Sequence, residues 1–225
     1  MRAGDFVVKF ISAKGALFEL LGSRLATHFG ILVPEPAAVE INKDFADVVS
    51  EILCRQLSSP KIGIGLNFGS RVVHPMTTWL TGRTIPDAMF RDATAIFAFD
   101  ALIQNPDRRA INPNLFTQGD SICVYDHETS FSFLLAIARS VKPWNLEREK
   151  YLEEHVFYTR LKSKRIDLSD FKNRLNSLNG RVLTEIKKDI PPEWMNSDFE
   201  RIEAHLLAIH ENTDDFIEQV TRRLA

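Results

Sequence analysis

Asp107 and Asn112 stand five positions apart in a D-x-x-x-x-N spacing, and Asp126 follows a β-branched apolar run. These residue types suit phosphoryl transfer. One carboxylate orients an attacking hydroxyl, while an amide oxygen and a second carboxylate offer a divalent cation the hard oxygen ligands it prefers. Asn114, Leu115 and Phe116, and then Ile122, Cys123, Val124 and Tyr125, flank the polar tetrapeptide Thr117-Gln118-Gly119-Asp120. That pattern predicts a β-hairpin with its two ends side by side, which brings Asn112 and Asp126 together. Singly, each residue is an ordinary loop residue that caps neighbouring backbone. The set of three gains weight from the apolar helix before it and the hairpin that joins its parts.

The elements needed to hold such a site can be read along the chain. Residues 6–11 are β-branched and aromatic and predict a strand carrying Lys9; residues 16–29, with Leu17, Leu20, Leu21 and Leu25 at helical spacing, predict a helix carrying Glu19 and stopped by Gly30. In kinases a strand lysine binds nucleotide phosphates and a helix glutamate holds it, which is the order seen here. The ordinary alternative for a strand lysine is a solvent face. Pro34 and Pro36 keep the next segment extended, and a strand resumes at 38–41. A helix over 44–57 carries Phe45, Val48, Val49, Ile52 and Leu53 as one stripe expected to pack on the sheet.

Residues 62–70 are rich in glycine; Gly63, Gly65 and Gly69 read first as turn formers and second as phosphate contacts. Short strands are expected at 71–73 and 76–80, with Trp79 and Leu80 at a hinge that meets an adenine ring, by analogy with kinases. Pro86 opens a core helix to about residue 104. Asp100, a carboxylate among Phe97, Phe99, Leu102 and Ile103, needs hydrogen-bond partners to be buried there and reads as a structural anchor for the loop at Asp107. His127 reads as an oriented polar group. Helices are expected over 146–160, 168–188, 198–210 and 214–224, with a break at 190–194.

Composition narrows the classes. The chain has 225 residues, 44% hydrophobic and 26% charged, with a net charge of −2, which fits a globular protein and lacks the basic excess of a nucleic-acid binder. Its two cysteines, Cys54 and Cys123, make no disulfide framework and read as buried thiols in a reducing cytoplasm. The longest late uncharged stretch, 129–138, is too short to span a bilayer, so no membrane association is expected.

The wording of three stretches, FDALIQNPDRRAINPNLF, VYDHETSF and ELLGSRLATHFGILVPEPAAVEI, resembles the HipA-like kinases, bacterial serine/threonine kinases with a remote likeness to phosphoinositide kinases. The resemblance implies that Asp107 is the catalytic aspartate, that Asn112 and Asp126 bind magnesium, and that Lys9 and Glu19 serve the ATP phosphates. Better-known members read Asp-Arg-His where this chain has Asp107-Arg108-Arg109, so the role of that His has no counterpart. A protein serine or threonine is the implied acceptor, and an antitoxin-like protein is a candidate partner. The fold class expected is α+β, two-lobed and kinase-like: a small β-rich lobe over 1–80 and a mainly helical lobe over 81–225, with ATP and magnesium between them. Two alternatives stay open. One is a nucleotide- or partner-binding pseudokinase, suggested by the mere eight residues before Lys9; the other is a small-molecule or lipid kinase, since the same loop chemistry serves any hydroxyl.

Overall fold

The computed structural model describes residues 4–53, 62–80, 82–135 and 142–225. Strands β1 (Phe6–Lys9), β2 (Pro36–Ile41) and β3 (Gly65–Arg71) form an antiparallel sheet in the order β1-β3-β2. Pro36 opens an edge strand, where its missing N–H breaks no ladder. The glycine-rich segment is therefore a central strand, which corrects its reading as a loop. Gly65 does turn, at φ +96°, but Gly69 lies in the ladder opposite Val8 and Ala37. A Cβ on Gly69 would stand 2.6 Å from Val39 Cγ2, so glycine makes room for the neighbouring strand.

Helix α1 (Ala13–His28) starts three residues earlier than its apolar spacing indicates, because Ser12 caps it: the Ser12 hydroxyl accepts the Gly15 N–H at 3.1 Å. Leu17, Leu20, Leu21 and Leu25 are buried as expected. Helix α2 (Lys43–Leu53) departs from expectation. Phe45, Val48 and Ile52 are 53%, 58% and 56% exposed, so that stripe does not pack on the sheet, and Ala46 is the residue turned inward. The rest of this expected helix, with Cys54, lies outside the described residues.

A second sheet holds β4 (Thr77–Thr78), β5 (Leu115–Gln118) and β6 (Ser121–Val124) in the order β4-β5-β6. The hairpin is as expected, with Leu115 opposite Val124 and Gly119 at φ +58° in the turn. The strand expected at 76–80 shrinks to two residues, and β3 ends at Arg71 rather than a new strand starting there. A 3-10 turn (Asp87–Met89) leads into α3 (Phe90–Leu102), which is buried nearly all round.

Beyond residue 142 the expected helix over 146–160 is instead a 3-10 turn (Lys150–Glu153) and a short helix α4 (Tyr158–Leu161). His155 lies between them because its ring is drawn inward to Asp100 and its backbone bridges to Arg109. The expected helix over 168–188 divides into α5 (Ser169–Ser177) and α6 (Gly180–Lys188), since Asn179 caps the second by accepting the N–H groups of Arg181 and Val182. Helices α7 (Asp198–Glu211) and α8 (Thr213–Leu224) follow. One apolar cluster runs from Leu17 and Leu21 through Ile96, Phe97 and Phe99 to Phe216 and Leu224. Among the described residues no helix is long and apolar enough to cross a membrane.

Candidate functional site

Two side-chain clusters flank the β5–β6 hairpin, and a buried carboxylate supports the first. Asp100, on α3, is fully buried; its Oδ2 accepts Arg108 Nε at 2.6 Å and His155 Nε2 at 3.0 Å, and its Oδ1 accepts Asn105 Nδ2 at 3.1 Å. The Phe157 N–H donates to His155 Nδ1 at 3.2 Å, which leaves the proton on Nε2 to reach Asp100. Burial alone would raise the Asp100 pKa, but Arg108 and His155 outweigh it and hold the carboxyl below its usual range. Arg108 also donates through Nη1 to the carbonyls of Asn114 (2.8 Å) and Tyr125 (3.2 Å), so one buried guanidinium ties α3 to both ends of the hairpin. Asn105 Oδ1 accepts the Asp107 N–H at 3.1 Å. The structural role read for Asp100 is what the geometry displays; Arg108 and His155 as its partners were not legible, because nothing in their local sequence marks them as buried.

Asp107 sits at the end of this chain of bonds. Its Oδ2 accepts Asn112 Nδ2 at 2.8 Å and Asn114 Nδ2 at 3.2 Å, while Arg109 Nη2 lies 3.4 Å from Oδ1. Asn114 takes a left-handed conformation, φ +48°, that Asn tolerates better than most residues and that turns its amide back to Asp107. It is one of the site residues that motif spacing missed. The loop is held by its own backbone: Arg109 N–H reaches the Asn112 carbonyl at 3.2 Å and Asn112 N–H the Arg109 carbonyl at 3.0 Å.

The second cluster gathers at Asp126, which follows β6 at φ +64°. Lys9, the last residue of β1, pairs through Nζ with Glu19 of α1 and with Asp126 Oδ1 at 2.7 Å. Glu19 is 1% exposed, and its Oε2 accepts the His127 N–H at 2.9 Å. Lys9 is thus no solvent-face residue. Burial lowers an ammonium pKa, yet Glu19 and Asp126 outweigh it and raise that of Lys9; burial likewise pulls Asp126 up, and Lys9 brings it below the usual range.

Glu128 adds a third carboxylate: Glu19, Asp126 and Glu128 each present one oxygen, and these oxygens lie within 4.8 Å of one another. Hard oxygen donors with more negative charge than Lys9 alone offsets fit a divalent cation such as magnesium. Asn112 lies two residues before Asn114, whose carbonyl accepts the Tyr125 N–H at 3.2 Å, so its loop adjoins the strand end that presents Asp126. His127 is fully buried, and neither ring nitrogen has a hydrogen-bond partner among the described residues, although Nδ1 lies 3.9 Å from Glu19 Oε2. Burial pushes its pKa down to about 3. Its ring packs on α1 where Gly22 leaves room: a Cβ there would be 2.6 Å from His127 Cβ. The main-chain N–H of His127, not its ring, is the group that orients Glu19.

At the segment read as a hinge, two of the backbone groups of Trp79 and Leu80 are already engaged. The Trp79 N–H already donates to the Leu115 carbonyl at 3.0 Å, and its indole is buried edge-on to Phe157. Leu80 is 70% exposed and its carbonyl accepts the Arg83 N–H at 3.1 Å. Cys123 is a free buried thiol in β6 whose pKa is pushed up to about 12 by burial, which disfavours the thiolate.

Comparison with known proteins bears on this arrangement. A family model described as HipA-like kinase matches residues 5–222. No curated protein matches the chain.

Proposed function

The chain belongs to the HipA-like kinase family, and from that premise we propose that it transfers the γ-phosphoryl group of ATP, with magnesium, to a serine or threonine hydroxyl of a protein. The observation that carries this reading is the junction at Lys9, where strand, helix and hairpin end meet through Glu19 and Asp126. A cation fixed between a helix carboxylate and a metal-type aspartate is the arrangement phosphoryl transfer needs. Family membership implies use of ATP; bound together, ATP and magnesium supply the transferable group and neutralise its charge.

The remaining work falls to residues of this chain. Lys9 binds phosphate oxygens, kept in place by Glu19. Asp126 and Asn112 hold the cation, with Glu128 adding negative charge beside Asp126. Asp107 is oriented through Oδ2 by Asn112 and Asn114, which leaves Oδ1 to accept the proton of the attacking hydroxyl. Preset bonds of this kind lower the reorganisation needed at the moment of reaction. In this reading the lobe over 1–80 and the lobe over 81–225 enclose the nucleotide, and Trp79 and Leu80 line its edge without the Trp79 N–H.

Radiolabelled ATP offered to the protein alone, to mixed cell proteins and to lipids tests the proposal. Label on protein serine or threonine, abolished by EDTA, is the expected result. Label on lipid alone assigns the chain to lipid phosphorylation; ATP binding without label on any acceptor removes phosphotransfer and leaves a nucleotide-binding protein.

A further inference from the structure

The catalytic loop carries a cation that the phosphoryl-transfer reading leaves without a task. Arg109 is 38% exposed, and among the described residues its one side-chain partner is Asp107 Oδ1 at 3.4 Å, beyond the usual hydrogen-bond range. Its Nε is buried with no partner among the described residues. Arg201 and Arg223 also leave a buried Nε unpaired, but each has another nitrogen fixed at 3.1 Å or closer. Arg109 differs in having its fork nearly uncommitted. Its backbone is nonetheless well held: its N–H reaches the carbonyls of Asp107 and Asn112, and its neighbours Arg108 and Ala110 bond to the backbone of Val156 and Glu154, so the guanidinium starts from a fixed point beside the proton-accepting oxygen. Two residues on, Ile111 is 79% exposed and gives the same loop an apolar tip.

We propose that Arg109 reads the acceptor: its guanidinium receives an anionic group, a carboxylate or a phosphate, placed beside the target hydroxyl of a peptide, with Ile111 contacting the chain next to it. This rests on the phosphotransfer reading for the hydroxyl's destination. The physical grounds are that a guanidinium presents paired N–H donors matching two anionic oxygens, and that a buried unpaired N–H gains most from such a partner. An acceptor bearing that group also draws Arg109 away from Asp107 Oδ1, freeing this oxygen for the hydroxyl. A neutral acceptor lacks that effect.

The test uses serine-centred synthetic peptides with aspartate, phosphoserine, asparagine or lysine next to the serine. Transfer is measured with ATP and magnesium, and binding by fluorescence anisotropy with a non-hydrolysable ATP analogue, for the parent, Arg109→Gln and Arg109→Glu, each checked for folding by circular dichroism. The parent should favour the aspartate or phosphoserine peptide over the asparagine peptide by about tenfold, as a charge-assisted pair allows. The two anionic arms separate carboxylate from phosphate. Arg109→Gln should erase the preference and Arg109→Glu should turn it toward lysine, a reversal that a merely structural arginine does not produce. If Arg109→Glu fails to fold, the Gln variant decides. A parent without anionic preference in binding, or a preference unchanged in the Arg109 variants, overturns the inference. Arg109-dependent binding without transfer sinks the phosphotransfer reading and leaves the anion site standing; transfer without anionic preference does the opposite.

Discussion

Arg108 Nε donates to Asp100 Oδ2 at 2.6 Å with both side chains wholly removed from solvent. A buried pair of this kind adds little net stability over an apolar pair, because desolvation offsets attraction, but losing one member leaves a buried charge unmatched. Here the arginine also holds two carbonyls of the hairpin ends. It thereby anchors to α3 the two chain segments on either side of the hairpin, one of which carries the amide of Asn114 that bonds Asp107.

Removing either member should therefore be severe. Asp100→Ala and Arg108→Met should each lose about 3–5 kcal/mol of stability, measured by urea unfolding. Because the folded Asp100 pKa is depressed, its contribution is complete above the ordinary carboxylate value and is lost as pH falls through the depressed one. Full stability in either variant would remove the pair from its structural role.

Lys9 carries a different test, since it neutralises a carboxylate that is 1% exposed. Lys9→Ala should cost about 1–3 kcal/mol as Glu19 loses its counter-charge, with the His127 N–H still bonded to it. Adding Glu19→Gln should restore most of that stability but not ATP affinity. Thermal unfolding and calorimetry separate the two effects. If the double variant binds ATP like the parent, Lys9 is only a structural counter-ion.

Asp107 and Asp126 should fail differently. Asp107→Asn removes the proton acceptor and puts an amide beside the Arg109 guanidinium, so transfer should fall by roughly a hundredfold or more while ATP binding survives. Asp126→Asn should lose magnesium-dependent ATP binding and transfer together. Asn114→Ala, which deletes one of the amides on Asp107 Oδ2, should slow transfer less than Asp107→Asn. Single-turnover transfer and calorimetric ATP affinity, read side by side, decide; parental transfer by Asp107→Asn would end its catalytic assignment.

His205 sets part of the acid limit of stability. It is buried, stacks on Phe133 and donates from Nε2 to the Leu102 carbonyl at 3.1 Å; burial pushes its pKa down to about 4. The unfolded chain therefore binds a proton that the folded one refuses between about pH 6.5 and about pH 4. Stability should fall as pH drops through that window and be unaffected by this group above it. His205→Gln can keep the bond to Leu102 and should flatten the slope; an unchanged slope in urea midpoints from pH 7.5 to 4.5 would assign it to other groups.

The sequence alone determined what short-range rules control. The β5–β6 hairpin followed from apolar runs around a glycine-bearing turn, α1 from its leucine spacing, and the need for partners at Asp100 from one carboxylate in an apolar helix. The Asp107 and Asn112 spacing likewise follows from a loop whose two ends bond to each other. What tertiary structure decided involves partners far apart in the chain. Whether the stripe of α2 was buried, whether Gly69 was loop or central strand, and whether Trp79 kept a free N–H depended on which strand or helix came to lie beside them. His155 joined Asp100 across 55 positions, and Asp126 joined Lys9 across 117. No local pattern encodes such pairs, because a buried charge is satisfied by whatever opposite group the packed core brings within reach.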